Sequence, residues 1–257
     1  MIGLILGTTE GKNILSKLNE FTDDIFVSTA TVYGGDLLKG YKYKVMNNKP
    51  LTQEEMLGEF KKHDISIVVD ATHPYAVQVS INVQEICHIL NIKYLRYERP
   101  YVIDKYRNNK NILQVEDYTA IKDALKDVKG TILNTTGSRN IGAILALGLK
   151  NRVIHRVLPT QESMEKCMAL GVRVDDIIAI KGPIGYELNC GFIKQYDAEA
   201  IILKDSGSEG GTEEKVKAAL DIGVKCIVIK RTLIEYDEVL NSEDGVVEYV
   251  LRYIKCY

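Results

Sequence analysis

Six basic residues stand at or just beyond the ends of short apolar runs: Arg96, Arg99, Arg139, Arg156, Lys204 and Arg231. Arg forks onto carboxylates bidentately and Lys adds a point charge. Gathered near one rim, such cations would suit a ligand with several carboxylates; taken singly, each reads as a solvated or ion-paired surface residue. Three further segments hold groups able to do chemistry. In "VVDATHPYA", Asp70 ends an apolar run and Pro74 fits the first turn of a following helix, where its missing N–H is not needed. Thr72 and His73 are then held at the mouth of a sheet. The plainer reading is that Asp70 and Thr72 only cap that helix and that His73 is structural. In "LKDSGSEGGTEEK", Gly207, Gly210 and Gly211 with Ser206 and Ser208 can turn several backbone N–H groups toward one anion beside Lys204. The same residues would also make a flexible connection with an ordinary cap at Thr212. "NTTGS" offers the hydroxyls of Thr135, Thr136 and Ser138 and the Arg139 cation, though capping explains most of that pattern.

The N-terminal stretch "LILGTTEGKNIL" runs from an apolar strand through a Gly/Thr turn into an amphipathic segment, the local architecture that holds phosphates on helix N-terminal amides. It is not a P-loop, because three residues separate Gly7 from Gly11 and Asn13 follows Lys12. It also fails the G-x-G-x-x-G pattern, which wants glycine at Thr9 and Lys12. Roughly 20 residues beyond the loop, where dinucleotide folds place an acid on the ribose 2′-hydroxyl, Val27–Thr31 contains none. Small hydroxyl residues there favour NADPH, with NADH the alternative because no Arg is adjacent.

These groups need elements to position them. Apolar runs predict strands over 2–6, 25–29, 65–70, 92–97, 131–134, 153–157, 177–180, 200–204 and 226–230. Helical patterns fall between most of them: 12–18, 52–62 with a capping box at Thr52–Glu55, 76–90, 118–126, 162–170 and 213–222. Gly171 and Gly223 sit where helix C-cap glycines belong. Such alternation means parallel sheets with covered faces. The polar stretch Val102–Asn111 reads as a joint. The expected class is therefore α/β, with two Rossmann-like doubly wound parallel-sheet domains, 1–105 and 106–257, facing an interdomain cleft. A single barrel of eight strand–helix units is the alternative. In either sheet, ligands belong at the carboxyl ends of the strands.

Composition bounds the rest. A net charge of −2 supplies no general field for nucleic acid or an anionic membrane. No apolar run reaches the length of a membrane span, and Glu10 interrupts the N-terminal run, which reads as a core strand and not a signal peptide. Cys87, Cys167, Cys190, Cys226 and Cys256 are widely spaced without a CxxC pair, so they read as reduced thiols of a cytoplasmic protein. The four histidines show no metal-ligand spacing, so no protein-held metal is expected.

Taken in order, "LILGTTEGK", "STAT", "VVDATHPYA", "YLRYERP", "LNTTGS", "RVLP", "IAIKGP" and "LKDSGSEGGTEEKVKAA" make the chain resemble the precorrin-6A reductase family of cobalamin biosynthesis. "DATHPYA" followed by "RYERP" is the specific part. The resemblance implies hydride delivery from a reduced nicotinamide to one carbon–carbon double bond of a tetrapyrrole, giving precorrin-6B or its cobalt complex. It implies a cofactor site at Gly7, Thr8, Thr9, Gly11, Ser28, Thr29, Ala71, Thr72 and His73, with Thr136, Gly137 and Ser138 from the second half. It further implies that Arg96, Arg99, Arg139, Arg156, Lys204 and Arg231 grip the acetate and propionate arms. Asp205, Ser206, Gly207, Gly210 and Gly211 belong with substrate or cofactor. His73, Tyr75 and Lys204 are candidate proton donors, with water as a further one. One departure is "KRT" at Lys230–Thr232, where the family often has "RRP". The rival functions are another nicotinamide-dependent reductase of an acidic small molecule and a non-catalytic nucleotide sensor. Cobalt content and oligomeric state stay open at this level.

Overall fold

The computed structural model describes residues 1–255, so Cys256 of the cysteine expectation lies outside the described residues. Strands β1 (Ile2–Leu6), β2 (Ile25–Thr29), β3 (Val45–Asn47), β4 (Ile67–Ala71) and β5 (Lys93–Tyr97) alternate with helices α1 (Thr9–Leu18), α2 (Val32–Asp36), α3 (Gln53–Lys62) and α4 (Val77–Leu90). The pattern then repeats. Strands β6 (Ile112–Val115), β7 (Thr131–Asn134), β8 (Val153–Val157), β9 (Ile177–Ala179), β10 (Ala198–Lys204) and β11 (Lys225–Ile229) alternate with α5 (Ile121–Ala124), α6 (Ile141–Ala146), α7 (Gln161–Ala169), α8 (Tyr186–Gln195) and α9 (Thr212–Ile222). A two-residue strand β12 (Val239–Leu240) and helix α10 (Glu243–Lys255) close the described chain.

The chain forms two compact units, one of Met1–Pro100 with the chain from Leu233 onward, the other of Tyr101–Thr232. Each holds one parallel sheet of six strands. The first has the order β12-β5-β4-β1-β2-β3, the second β6-β11-β10-β7-β8-β9. Counted from β1 or from β7, both sheets share the doubly wound order 3-2-1-4-5 with a sixth strand beyond. The α/β expectation therefore holds, and the eight-unit barrel does not. The expected division at 105/106 differs from this one. The change falls at Pro100/Tyr101, and the C-terminal segment returns to the first sheet, where Arg96 N donates to Glu238 O at 2.8 Å and Glu98 N to Leu240 O at 2.9 Å. Helix α10 then packs on α1 through Val246, Val247 and Val250, with Lys17 Nζ 2.6 Å from Asp244 Oδ1.

Period-two alternation splits the first core between two faces. Ile2, Leu4 and Leu6 pack with Ile14, Leu15 and Leu18 of α1, while Ile5 packs with Met56 and Phe60 of α3 and Val83 and Ile86 of α4. In the second unit Leu133, Ile154, Ile201 and Val228 pack against Ile193 of α8 and Val216 and Ala219 of α9. The capping box at Thr52–Glu55 is present, and Gly171 and Gly223 take φ of +73° and +85° after their helices. Three strands escape the sequence reading: β3, β6 and β12. They are short strands at sheet edges, where backbone pairing recruits segments too brief to show a period. Helices α2, α6, α8 and α10 escape it as well. The expected helix over 118–126 shrinks to α5, because Asp117 Oδ1 takes the amides of Thr119 and Ala120 in a turn.

Candidate active site

In the first unit the strand order reverses between β1 and β4, and the loops after these two strands touch. Thr8 caps α1, accepting Gly11 N at 3.2 Å, and donates its own hydroxyl to Ala71 O at 3.1 Å. A Cβ on Gly7 would meet His73 N at 3.4 Å, and one on Gly11 would meet Leu6 Cδ2 at 2.9 Å. Gly11 therefore does the work of the last glycine of a dinucleotide loop, which lets helix and strand pack closely. Gly7, Thr8, Thr9, Gly11, Ala71, Thr72 and His73 are brought together at this crevice. On this geometry they fit a dinucleotide cofactor. Thr29 lies at the neighbouring strand end with its hydroxyl on Thr31 O at 3.1 Å, and Thr31 caps α2. Ser28 is buried and accepts from Asn47 Nδ2 at 2.9 Å, so its hydroxyl serves the sheet edge.

The "DATHPYA" segment differs from its expected form. Helix α4 starts at Val77 behind Ala76, without a side-chain cap, and Pro74 sits in a turn closed by Ala76 N on His73 O at 2.7 Å. Asp70 and Thr72 do not cap it. Asp70 Oδ1 accepts Thr72 N at 3.0 Å and Arg96 Nη1 at 2.8 Å, and Asp70 Oδ2 accepts Tyr94 Oη at 2.9 Å. Arg96 is fully buried. Its Nη1 also reaches Thr72 Oγ1 at 3.0 Å, its Nε donates to Glu98 Oε2 at 2.9 Å, and its guanidinium lies 5.4 Å from the Tyr236 ring centroid. Burial acts to lower the Arg96 pKa, but Asp70 and Glu98 hold it above the ordinary range. Burial, with Asp70 beside it, raises the Tyr94 phenol. Arg96 is thus committed to shaping the Thr72 loop, which corrects its expected place on a substrate carboxylate. Arg99 is buried too and ion-paired with Glu10 of the first α1 turn. That pairing sets a cation against the one carboxylate near the helix N-terminus. His73 Nδ1 accepts Tyr75 N at 3.2 Å, and the two rings lie 5.8 Å apart.

The second unit reverses its strand order between β7 and β10. Asp205 follows β10, its Oδ1 accepting Gly207 N at 3.2 Å and its Oδ2 accepting Ile103 N at 3.1 Å. Arg231 Nε donates to Asp205 O at 2.8 Å, and its guanidinium lies 4.2 Å from the Tyr101 ring centroid. Arg231 of "KRT" is therefore held inside, while Lys230 pairs with Glu116. The glycine-rich loop is less open than expected. Ser206 N donates to Thr212 Oγ1 at 3.0 Å, Gly207 N to Asp205, Gly210 N to Gly207 O, Gly211 N to Ser208 O, and Thr212 N to Gly207 O. These amides close the loop on itself, so they do not converge on an anion. Gly211 must be glycine, with φ +67° and a Cβ that would lie 3.0 Å from Pro183 Cβ. Thr212 is the first residue of α9, behind Gly211, and binds Lys204 O at 3.3 Å instead of capping.

In "NTTGS", Asn134 Oδ1 takes both Thr136 N at 3.1 Å and Thr136 Oγ1 at 2.8 Å. Gly137 turns at φ +87°, and Ser138 Oγ lies 3.1 Å from Ser163 Oγ. The cations gather here. Arg139 is exposed. Lys204 is half-buried, and burial reinforced by Arg139 brings its amine down to about 8. Arg156 Nη1 donates to Asn189 Oδ1 at 3.0 Å, and burial lowers it to about 10. Sequence reasoning missed one further cation, Lys215 on the first turn of α9. It is buried, donates to Gly210 O at 3.4 Å, and is brought down to about 7 by burial and then by Arg156. Its signal was present, a lysine at an inward helical position beside Val216, but lysine there reads as surface charge.

Comparison with known proteins agrees with this arrangement. The family model "Precorrin-6x reductase CbiJ/CobK" matches residues 1–251. A protein of Methanocaldococcus jannaschii named cobalt-precorrin-6A reductase is 36% identical over 248 residues, covering 96% of each chain. One of the same name from Salmonella typhimurium is 33% identical over 256 residues, covering 96% of this chain and 94% of its own. A solved structure titled CobK precorrin-6A reductase superposes with a TM-score of 0.80 at 18% identity, covering 98% of this chain and 96% of that one, which establishes the fold. With a match that spans nearly the whole chain and both glycine loops, the chain belongs to the precorrin-6x reductase CbiJ/CobK family.

Proposed function

We propose that this protein reduces one carbon–carbon double bond of cobalt-precorrin-6A, with NADPH as the reductant. The observation that carries the reading is the crevice between β1 and β4, where a dinucleotide-type turn meets Thr72 and His73 in a chain of this family. When bound, the reduced nicotinamide supplies the hydride. The protein orients and compensates charge. Gly7, Thr8 and Thr9 receive the pyrophosphate, and Gly11 lets α1 approach the sheet. Arg99 neutralises Glu10, so the helix N-terminus meets the phosphates without an opposing charge. The absence of an acid over Val27–Thr31 supports NADPH over NADH.

Arg139, Arg156 and Lys204 take the carboxylate arms, the role supported by their half-buried or exposed setting in the second unit. Lys204 is the proton donor this reading prefers, because its lowered pKa suits a general acid near neutral pH. His73 is placed to position the nicotinamide. The cobalt-loaded form is adopted because the relatives matched over nearly their full length carry that name. A spectrophotometric assay with NADPH or NADH and precorrin-6A, cobalt-loaded or metal-free, tests all of this at once. Nucleotide oxidation coupled to a change in the macrocycle spectrum is expected. Cofactor binding without reduction would refute the activity while leaving the fold untouched.

A further inference from the structure

Two cations of the second unit, Arg156 half-buried and Lys215 buried, hydrogen-bond to neutral groups only. Arg156, near the end of β8, donates to Asn189 Oδ1 on α8, and Asn189 is itself 1% exposed. Lys215, 6% exposed on the first turn of α9, makes one long bond, to Gly210 O. The charged groups that face Lys215 are Arg156 from β8, Asp205 from the end of β10 and Glu214 from its own helix; α8 presents the neutral Asn189 to Arg156. Asp205 is occupied by Arg231, Gly207 and Ile103. A buried cation with no carboxylate bonded to it is expensive, and a second cation beside it makes it more so. Such a pair is stable in its charged form when a ligand brings the anion.

We infer that Arg156 and Lys215, the first held by Asn189, form a built site for one anionic oxygen group: a carboxylate arm of the tetrapyrrole or a phosphate of the nucleotide. The choice between these two sources rests on the reductase reading; the anion site itself does not. Lys215 is then a binding residue inside the "LKDSGSEGGTEEK" segment, at a position the sequence reading passed over. An anion placed between the two cations restores the ordinary basicity of Lys215, so ligand binding near neutral pH draws a proton from solvent.

Calorimetry at about pH 8, in two buffers of different ionisation enthalpy, counts that proton. The probes are uroporphyrin, which carries acetate and propionate arms, and NADP⁺. The wild-type protein is expected to take up a proton with one of them, which identifies the source. Lys215→Met should lower the uptake by most of one proton, leaving the Lys204 share, and weaken that probe by about thirtyfold. Lys215→Arg should keep most of the affinity with the same reduced uptake, and it guards against a Met variant that fails to fold. Equal affinities and equal proton counts for the wild type and Lys215→Arg, with both probes, would overturn the site. Proton-linked binding in a protein that never reduces cobalt-precorrin-6A would leave the site standing and remove the reductase reading.

Discussion

Arg96 lies on Asp70 with Nη1 2.8 Å from Oδ1 and neither side chain exposed. The second unit repeats the relationship. Arg231, like Arg96, follows its aspartate by 26 residues and donates to Asp205 from the next strand over. In each unit the aspartate also holds the amide two residues on, Thr72 N or Gly207 N, and a tyrosine ring covers the guanidinium. A buried pair at the end of the fourth strand of each 3-2-1-4-5 sheet thus fixes the loop that follows that strand.

Removing Arg96 should therefore unfold the site before it touches affinity. Breaking a buried pair from one side costs about 3–5 kcal/mol. Arg96→Met is expected to lose that much in denaturant titrations, whereas Arg139→Ala, on the surface, should stay within about 0.5 kcal/mol of wild type. A stable Arg96→Met with only a raised KM would return Arg96 to the substrate.

Gly11→Ala places a methyl 2.9 Å from Leu6 Cδ2. Overpacking of this kind costs about 1–3 kcal/mol. The shift of α1 should weaken NADPH binding, measured by fluorescence titration, more than it weakens uroporphyrin binding.

Ala30 is exposed just beyond β2. An acid there repels a ribose 2′-phosphate and accepts from a free 2′-hydroxyl. Ala30→Asp is expected to move the NADPH-to-NADH ratio of kcat/KM by about tenfold or more toward NADH. An unchanged ratio would place the adenosine end away from β2.

A general acid works only while protonated. With the Lys204 amine brought to about 8, kcat/KM should fall as pH rises through that value, by about tenfold per unit beyond it. Lys204→Met should lower the plateau and erase this limb; a retained limb would assign it to another group.

Lys215 links pH to stability with the opposite sign from a salt-bridged lysine. Its folded pKa lies below that of the unfolded chain, so between about pH 7 and pH 10 the unfolded state binds more protons and stability rises with pH. The slope approaches about 1.4 kcal/mol per pH unit for a group so buried. Burial raises the Cys87 and Cys226 thiols, which adds an opposing slope above about pH 8.5. Lys204 adds a similar slope from about pH 8 in both proteins, so the comparison is the wild type against Lys215→Met over pH 7–8.5, where the wild type should be the steeper of the two.

The sequence by itself determined the alternation of strands and helices, because buried parallel strands need near-continuous apolar runs and each run is long enough to read. It also determined which loops lie at the strand ends. Parallel strands deliver all their carboxyl ends to one edge, so "GTTEG", "DATHPYA", "NTTGS" and "SGSEGG" had to lie there whatever the strand order. Only the tertiary structure decided which residues of those loops remain available. Arg96 reads as a rim cation until Asp70 and Glu98 are seen to enclose it, and the glycine loop reads as an anion cradle until its amides are seen to bind one another. The return of 233–255 to the first sheet was decided there too, since a two-residue edge strand owes its place to pairing with β5 and not to any pattern of its own. Lys215 is the sharpest case. A lysine's charge is local and legible, but its burial and its nearness to Arg156 are made by residues that lie dozens of positions away, and no window of sequence contains them.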